Sequence, residues 1–299
     1  MRSGLLRLPA MAIVLLARVA LAAAQPIAPK LETLCLEDGN TAGTWGAEEA
    51  TVSTSDKFGE HGGTSMLFHI DVNWQTGEAN YPIGWPRMHK ALPEDQHNWS
   101  GWDFLELVIH SETSRDALPK DPLGLILHTP DRAHEWDRSL RELRKGETVK
   151  LVIPLSEIPR HNDVRLVQFF ISESNYRDGD TVEFTFDDLS LTRYAEPTVS
   201  GARVLSAIAY DDVTTLGASF RLLGVPLGQK VTLHARARQG QQVLGDLAVP
   251  LPRGEHEVFI PLSARPAPGE VVLELTLPKP TAVGKVRIVP SPFAAKGGN

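Results

Sequence analysis

The stretch Thr181–Leu191, T-V-E-F-T-F-D-D-L-S-L, constrains this chain most. Val182, Phe184 and Phe186 alternate with Glu183 and Thr185, the period of a strand with one buried face. The next apolar residues, Leu189 and Leu191, fall out of phase. One residue has been inserted, at Asp187-Asp188. A β-bulge there keeps both apolar runs on the core side and re-aims an acidic pair. The stretch is therefore expected to be the closing edge strand of a β-domain.

Other short runs of the same kind follow one another along residues 25–200. They are Leu31–Glu37, Ala50–Thr54, Ser65–Val72, Ala79–His89, Phe104–His110, Gly124–Thr129, Thr148–Pro154 and Arg165–Ser172. Pro82 and Pro86 mark Ala79–His89 as an edge or irregular strand. Asp131–Arg144 reads equally as a helix or a long loop. Seven more runs, separated by Gly and Pro, lie between Val204 and Val289. The chain is expected to be all-β: an N-terminal β-sandwich over 25–196, a linker over 197–202 and a smaller immunoglobulin- or fibronectin-like sandwich over 203–291. Residues 292–299 read as a disordered tail.

Charge supports that division. Residues 25–200 carry 30 acidic and 16 basic residues, whereas 201–299 carry 7 and 11. The net charge of −7 argues against a nucleic-acid partner. Arg2 and Arg7 precede the apolar run Met11–Ala17, and Ala22–Ala24 suits a cleavage site. Residues 1–24 thus read as a signal peptide of a secreted or periplasmic protein, a membrane anchor being the competing reading. The run is too short to span a bilayer. Cys35, the single cysteine, is expected to be a small buried hydrophobe.

Several pieces, in order, resemble the galactose-binding-like jelly-roll families, which include many carbohydrate-binding modules. They are Leu36-Glu37-Asp38 with Trp45, the Gly-rich turn within Asp56–Leu67, Trp99-Ser-Gly-Trp102-Asp-Phe-Leu105, Val149–Leu155, and Asp178-Gly179 with Phe186–Leu189. The resemblance covers about residues 31–193. It implies a structural calcium ion, for which Glu37, Asp56, Ser65 and Asp188 lie at matching positions and supply oxygen ligands. Solvated turn carboxylates are the alternative.

Sugar recognition needs a flat ring for the apolar face of a pyranose and planar hydrogen-bonding groups around it. Two irregular stretches supply both. One holds Trp74, Tyr81, Trp85, Arg87 and His89; the other holds His128, Arg132, His134, Trp136 and Arg138. Trp45, Trp99 and Trp102 sit at strand entries and are assigned to the core. The expected function is non-catalytic binding of an acidic or neutral polysaccharide. The competing readings are an adhesion or scaffold protein whose C-terminal domain meets a protein partner, and a lyase or hydrolase. The last would use His128, His134 and Tyr81, or a carboxylate pair such as Glu135 and Asp137 or Glu173 and Asp178.

Overall fold

The computed structural model describes residues 30–58, 63–75, 83–130, 136–277 and 279–292. The expected signal peptide, the tail from residue 293, Tyr81, Arg132 and His134 lie outside the described residues.

The chain is all-β. The first part contains β1 (Leu31–Glu37), β2 (Gly46–Glu48), β3 (Thr51–Ser55), β4 (Ser65–Asp71), β5 (Arg87–Ala91), β6 (Phe104–Thr113), β7 (Gly124–His128), β8 (Trp136–Ser139), β9 (Glu147–Pro154), β10 (Leu166–Phe170) and β11 (Thr181–Tyr194). One sheet has the order β3-β4-β11-β6-β9, with β1 also paired to β11. The other has the order β2-β5-β10-β7-β8. The two sandwich a core that includes Phe68, Leu107 and Phe184 from the first sheet and Met88, Leu125 and Phe169 from the second. Phe169 and Phe186 meet across it with ring centroids 4.6 Å apart.

The inserted residue in β11 is where the alternation put it. Phe186 pairs with Ile109 and Leu189 with Leu107, so three steps along β11 match two along β6. Val182, Phe184, Phe186, Leu189 and Leu191 all remain in the core. The strand is not an edge, however. β4 pairs along Thr181–Phe186 and β1 along Leu189–Tyr194, in line on one side, while β6 occupies the other. An alternation pattern reports faces, not the number of neighbours, and a 14-residue strand has room for two in tandem.

Two further expectations change, and one resolves. Residues 83–86 of the Pro-containing stretch are irregular, as one of its two readings had it, and β5, which follows Pro86, lies between β2 and β10 and is not an edge. Part of the stretch read as helix or loop is β8, which pairs with β7. Cys35 is exposed: Leu34 and Leu36 turn toward the core, and alternation turns Cys35 outward. Trp45 and Trp99 are buried as expected, and Trp102 packs half-buried against the same core.

The second part contains β12 (Thr198–Val204), β13 (Ile208–Tyr210), β14 (Thr215–Leu223), β15 (Val231–Gln239), β16 (Gln242–Leu251), β17 (Gly254–Pro261), β18 (Gly269–Leu277) and β19 (Lys279–Val289). A sheet of order β12-β14-β17 faces one of order β13-β19-β18-β15-β16, and β13 runs parallel to β19. A separate core of mainly aliphatic residues, from Leu216 to Ile288, lies between them. The expected linker, 197–202, is mostly strand: β12 pairs with β14 from Thr198 onward. Residues 195–197 alone separate β11 from β12.

So short a connection brings the two sandwiches into contact. The Asp103 side chain, fully buried, accepts Tyr194 N–H at 2.9 Å and Gly224 N–H at 3.2 Å through Oδ2. Its Oδ1 accepts two guanidinium N–H groups of Arg253, with Nε at 3.1 Å. Arg253 also donates to the Ser100 carbonyl at 3.0 Å. Gly224 has φ +68°, and a Cβ there would strike the Glu196 carbonyl.

Removing one partner of a buried ion pair strands the other charge, at a cost of about 3–5 kcal/mol. Asp103→Ala is therefore expected to lower stability by that amount in denaturant unfolding. A loss below about 1 kcal/mol, the range of an exposed pair, would show that the junction is not held this way.

Candidate functional site

Alternation along the five-stranded sheet sorts its side chains into two faces. Met88, Leu125, Leu127, Val167 and Phe169 point into the core. Cross-strand partners share a face. The register therefore sets Glu48, Arg87, Phe170 and Gly124 in one row across the outer side, and Gly46, His89, Gln168, Ile126 and Asp137 in the next. Leu166 pairs with His128 and begins a third.

Two glycines flatten this face. A Cβ on Gly124 would come closer than 3.0 Å to three atoms of the Phe170 ring, so the ring lies across the bare glycine backbone. A Cβ on Gly46 would lie 2.6–2.7 Å from the His89 ring in the same way. A strand glycine opposite an aromatic ring is a pairing that lets the ring cover exposed backbone. Two planar rings consequently lie on the sheet.

Trp85 extends the floor. It meets Phe170 edge to face, with centroids 5.4 Å apart and an interplanar angle of 67°. The Arg87 guanidinium lies 4.8 Å from the Trp85 ring centroid and also pairs with Glu48. Trp85 remains 40% exposed and Trp74 41% exposed. Gln168 is buried on this face, and its Nε2 has no hydrogen-bond partner among the described residues.

The segments carrying the two tryptophans are tied down by acids. Glu173, buried, accepts Asn73 N–H and Gly84 N–H, each at 2.9 Å, with its two oxygens. Its backbone carbonyl accepts Trp74 Nε1–H at 3.2 Å. Glu49, with a left-handed φ of +56°, accepts Trp85 N–H at 2.6 Å. A Cβ on Gly84 would lie 2.6 Å from an oxygen of each acid, so a larger residue would push both carboxylates away from the N–H groups they hold. Burial, together with Glu49 and Asp178 nearby, raises the Glu173 pKa above the ordinary carboxylate range despite the two N–H bonds.

The expected binding residues thus divide. Trp85, Arg87, His89 and His128 lie on or beside the outer face, and Trp74 is held beside Trp85's segment by Glu173. Trp136 and Arg138 do not join them. They pair with Leu127 and Leu125 and so share the inward side of β8, where Trp136 packs against the core and Arg138 pairs with Glu142. The sequence reading missed Phe170, Gln168, Gly46, Gly124 and the Glu173 anchor. The Phe169-Phe170 doublet held a usable signal, because alternation must turn one of two adjacent rings outward.

Two of the four residues expected to hold calcium, Glu37 and Ser65, are already engaged within the protein. The Glu37 carboxylate is buried and already accepts Gly39 N–H, Thr41 Oγ1–H, Trp45 Nε1–H and Lys90 Nζ, the last at 2.8 Å. All of these present positive ends, and Lys90 supplies the counter-charge itself. Ser65 donates its hydroxyl to the Lys57 carbonyl at 2.5 Å, and Asp56 is exposed. Among the described residues no group of three His, Cys, Asp or Glu converges on a metal position.

No family model matches the chain, and no curated protein matches it. Solved structures resemble it at low identity. A beta-1,2-glucanase from Parabacteroides distasonis is 13% identical with a TM-score of 0.34, over 88% of this chain and 37% of the glucanase. A carbohydrate-binding module specific for non-crystalline cellulose, CBM28, is 11% identical with a TM-score of 0.34, over 55% of this chain and 96% of the module. CBM27-1 of Caldicellulosiruptor saccharolyticus, solved with mannohexaose, is 13% identical with a TM-score of 0.33, over 54% of this chain and 96% of the module. This chain thus spans little more than a third of the glucanase.

Gly124→Ala is expected to lift Phe170 off the sheet, to shift the Trp85 fluorescence and to cost about 1–3 kcal/mol of overpacking. Unchanged fluorescence and stability would mean that the ring does not lie on Gly124. The Glu37 carboxyl gives a pH dependence. Burial alone would raise its pKa, but hydrogen bonds from Lys90, Thr41 and Trp45 outweigh burial and hold it at about 2, below the usual 4.5. Its stabilisation is complete above pH 4.5 and is lost as pH falls toward 2. Glu37→Gln should flatten stability against pH in that window, measured by unfolding at a series of pH values. An unaltered acid limb would contradict the assignment.

Proposed function

We propose that this chain binds a neutral polysaccharide on the outer face of its five-stranded sheet and does not cleave it. The observation that carries this reading is the floor of Trp85, Phe170 and His89, two of whose rings are laid flat by glycines. Sugar rings have apolar C–H faces that stack on such surfaces, while their hydroxyls need directed donors and acceptors at the edge. Arg87, Glu48 and Gln168 are of that kind. The Arg87 charge is balanced by Glu48, which favours hydroxyl-rich ligands over strongly acidic ones at this face.

The non-catalytic part of the reading rests on Glu173. It has the raised pKa of a general acid, but it is 1% exposed and both its oxygens accept backbone N–H groups. A carboxyl so placed anchors backbone and does not reach a glycosidic oxygen. The reading also takes the N-terminal segment as an export signal, which would put the face where polysaccharides are met.

A second reading, contact with a protein through the C-terminal sandwich, is favoured by one feature. Leu205, Phe259, Ile208 and Tyr210 are exposed there, and Leu205 and Phe259 lie over Gly217.

Affinity electrophoresis through gels containing soluble glucans and mannans tests the first reading. The wild type should be retarded, and Trp85→Ala or Phe170→Ala should weaken retention at least tenfold, about 1.4 kcal/mol. Trp136→Ala, whose ring is on the inward side, should remain retarded. Full retention by both Trp85→Ala and Phe170→Ala would exclude this face.

A further inference from the structure

The three-stranded sheet of the second sandwich, β12-β14-β17, turns one face away from the core. Leu216, Ala218 and Phe220 of β14 point inward, so alternation turns Gly217, Ser219 and Arg221 outward. The register sorts this outer face into rows. Ser200, Arg221 and Glu255 form one, and Arg203, Ser219 and Glu257 form the next. Gly217 centres a third. It pairs with Phe259 on β17, and on its other side its carbonyl accepts Leu205 N–H at 2.9 Å.

The third row is apolar and open. A Cβ on Gly217 would lie 2.5 Å from a Leu205 methyl carbon and 3.2 Å from the Phe259 ring, so both side chains close over bare glycine backbone. Phe259 is nevertheless 56% exposed, and Leu205 and Tyr210 are exposed beside it. These three side chains help to line a cavity of about 400 Å³, where the chain crosses from β12 to β13. A contiguous apolar surface rimmed by charge marks an interaction site.

The charges say what fits there. In the second row Arg203, on β12, donates to a hydroxyl, Ser219 Oγ, at 3.0 Å. Glu257, on β17, is exposed. Their backbones are two strand spacings apart, about 10 Å, and among the described residues neither makes an ion pair within its own chain. Arg221 and Glu255, by contrast, pair at 2.7 Å. The row is thus positive at its β12 margin and negative at its β17 margin. A two-fold axis running along β14, just above the sheet, exchanges these margins. When a second copy is laid on the face in this way, each Arg203 meets the other copy's Glu257 and each Leu205 meets the other copy's Phe259. Arg221 meets its own counterpart near the axis, but Glu255 already neutralises it. Gly217 and Ser219 lie at the axis and are small, which lets the sheets approach to the usual spacing of about 10 Å. Self-complementarity of this kind is what an isologous contact requires.

We propose that two copies of this chain pair through the outer face of the three-stranded sheet, about a two-fold axis along β14. This rests on the reading of the C-terminal sandwich as a protein-contact surface and names the protein. Phe259 of each copy is the anchor, seated beside Leu205 and Tyr210 of the other, and the two Arg203–Glu257 pairs set the orientation.

Sedimentation velocity of the full chain over a range of concentrations tests this. The wild type should show a reversible monomer–dimer equilibrium. Phe259→Asp, at an exposed position, should leave thermal unfolding in place and abolish the dimer. Arg203→Glu and Glu257→Arg each set like charges against one another twice per dimer, and each should weaken it about tenfold or more. Mixed in equal amounts, those two variants should dimerise again, because every facing pair is then opposite in sign. A wild type that stays monomeric throughout overturns the second copy as occupant and leaves the face to a different protein. Dimers that survive Phe259→Asp form elsewhere, and the contact reading of this face falls with the proposal. Dimers indifferent to both charge reversals, or not restored by mixing, overturn the two-fold arrangement.

Discussion

β11 holds the first sandwich together, and one extra residue sets its register. Three strands hydrogen-bond to it: β6 along one side, with β4 and β1 in tandem along the other. Without the bulge between Phe186 and Leu189, either the phenylalanine half or the leucine half would face water, because a one-residue slip exchanges the faces of a strand. With it, Phe186 reaches Phe169 across the core. That contact fixes the inward phase of β10, and thereby the outward phase of Phe170 and Gln168. The outer face thus inherits its order from a strand in the opposite sheet.

Flatness is the second requirement, and it depends on what is missing. Gly46 and Gly124 carry no side chain that could hold the neighbouring rings off the sheet. The ring floor therefore needs no ligand to form it. Preorganisation of this kind lowers the entropic cost of binding. Glu173 and Glu49 do the same for the tryptophan-bearing segments, by fastening backbone N–H groups on either side of residues 76–82.

Much of this could be read in the residues. Alternation located most strands, and the phase break in Thr181–Leu191 located the bulge, because both are consequences of a two-residue repeat. Other features are set by contacts between distant positions. The tandem pairing that makes β11 interior needs β1 and β4 to be known together. The Asp103–Arg253 pair spans 150 residues and turned an expected linker into a tight junction. The inward placement of Trp136 and Arg138 was not legible because a strand with an inward-facing arginine at a sheet edge does not look amphipathic. The Glu37–Lys90 pair shows the limit of resemblance: the acid occupies the position expected of a calcium ligand, but an ammonium group and three other donors already satisfy it.

The central claim is that the ring floor of the five-stranded sheet is where carbohydrate sits. The indole N–H signals of the six tryptophans report on it in one experiment, a heteronuclear NMR titration with a soluble neutral oligosaccharide. The Trp85 signal should move saturably with ligand, while those of Trp45 and Trp99, whose N–H groups are bonded to Glu37 and to the Gln96 carbonyl, stay in place. Saturable binding that leaves the Trp85 signal unmoved would contradict the account.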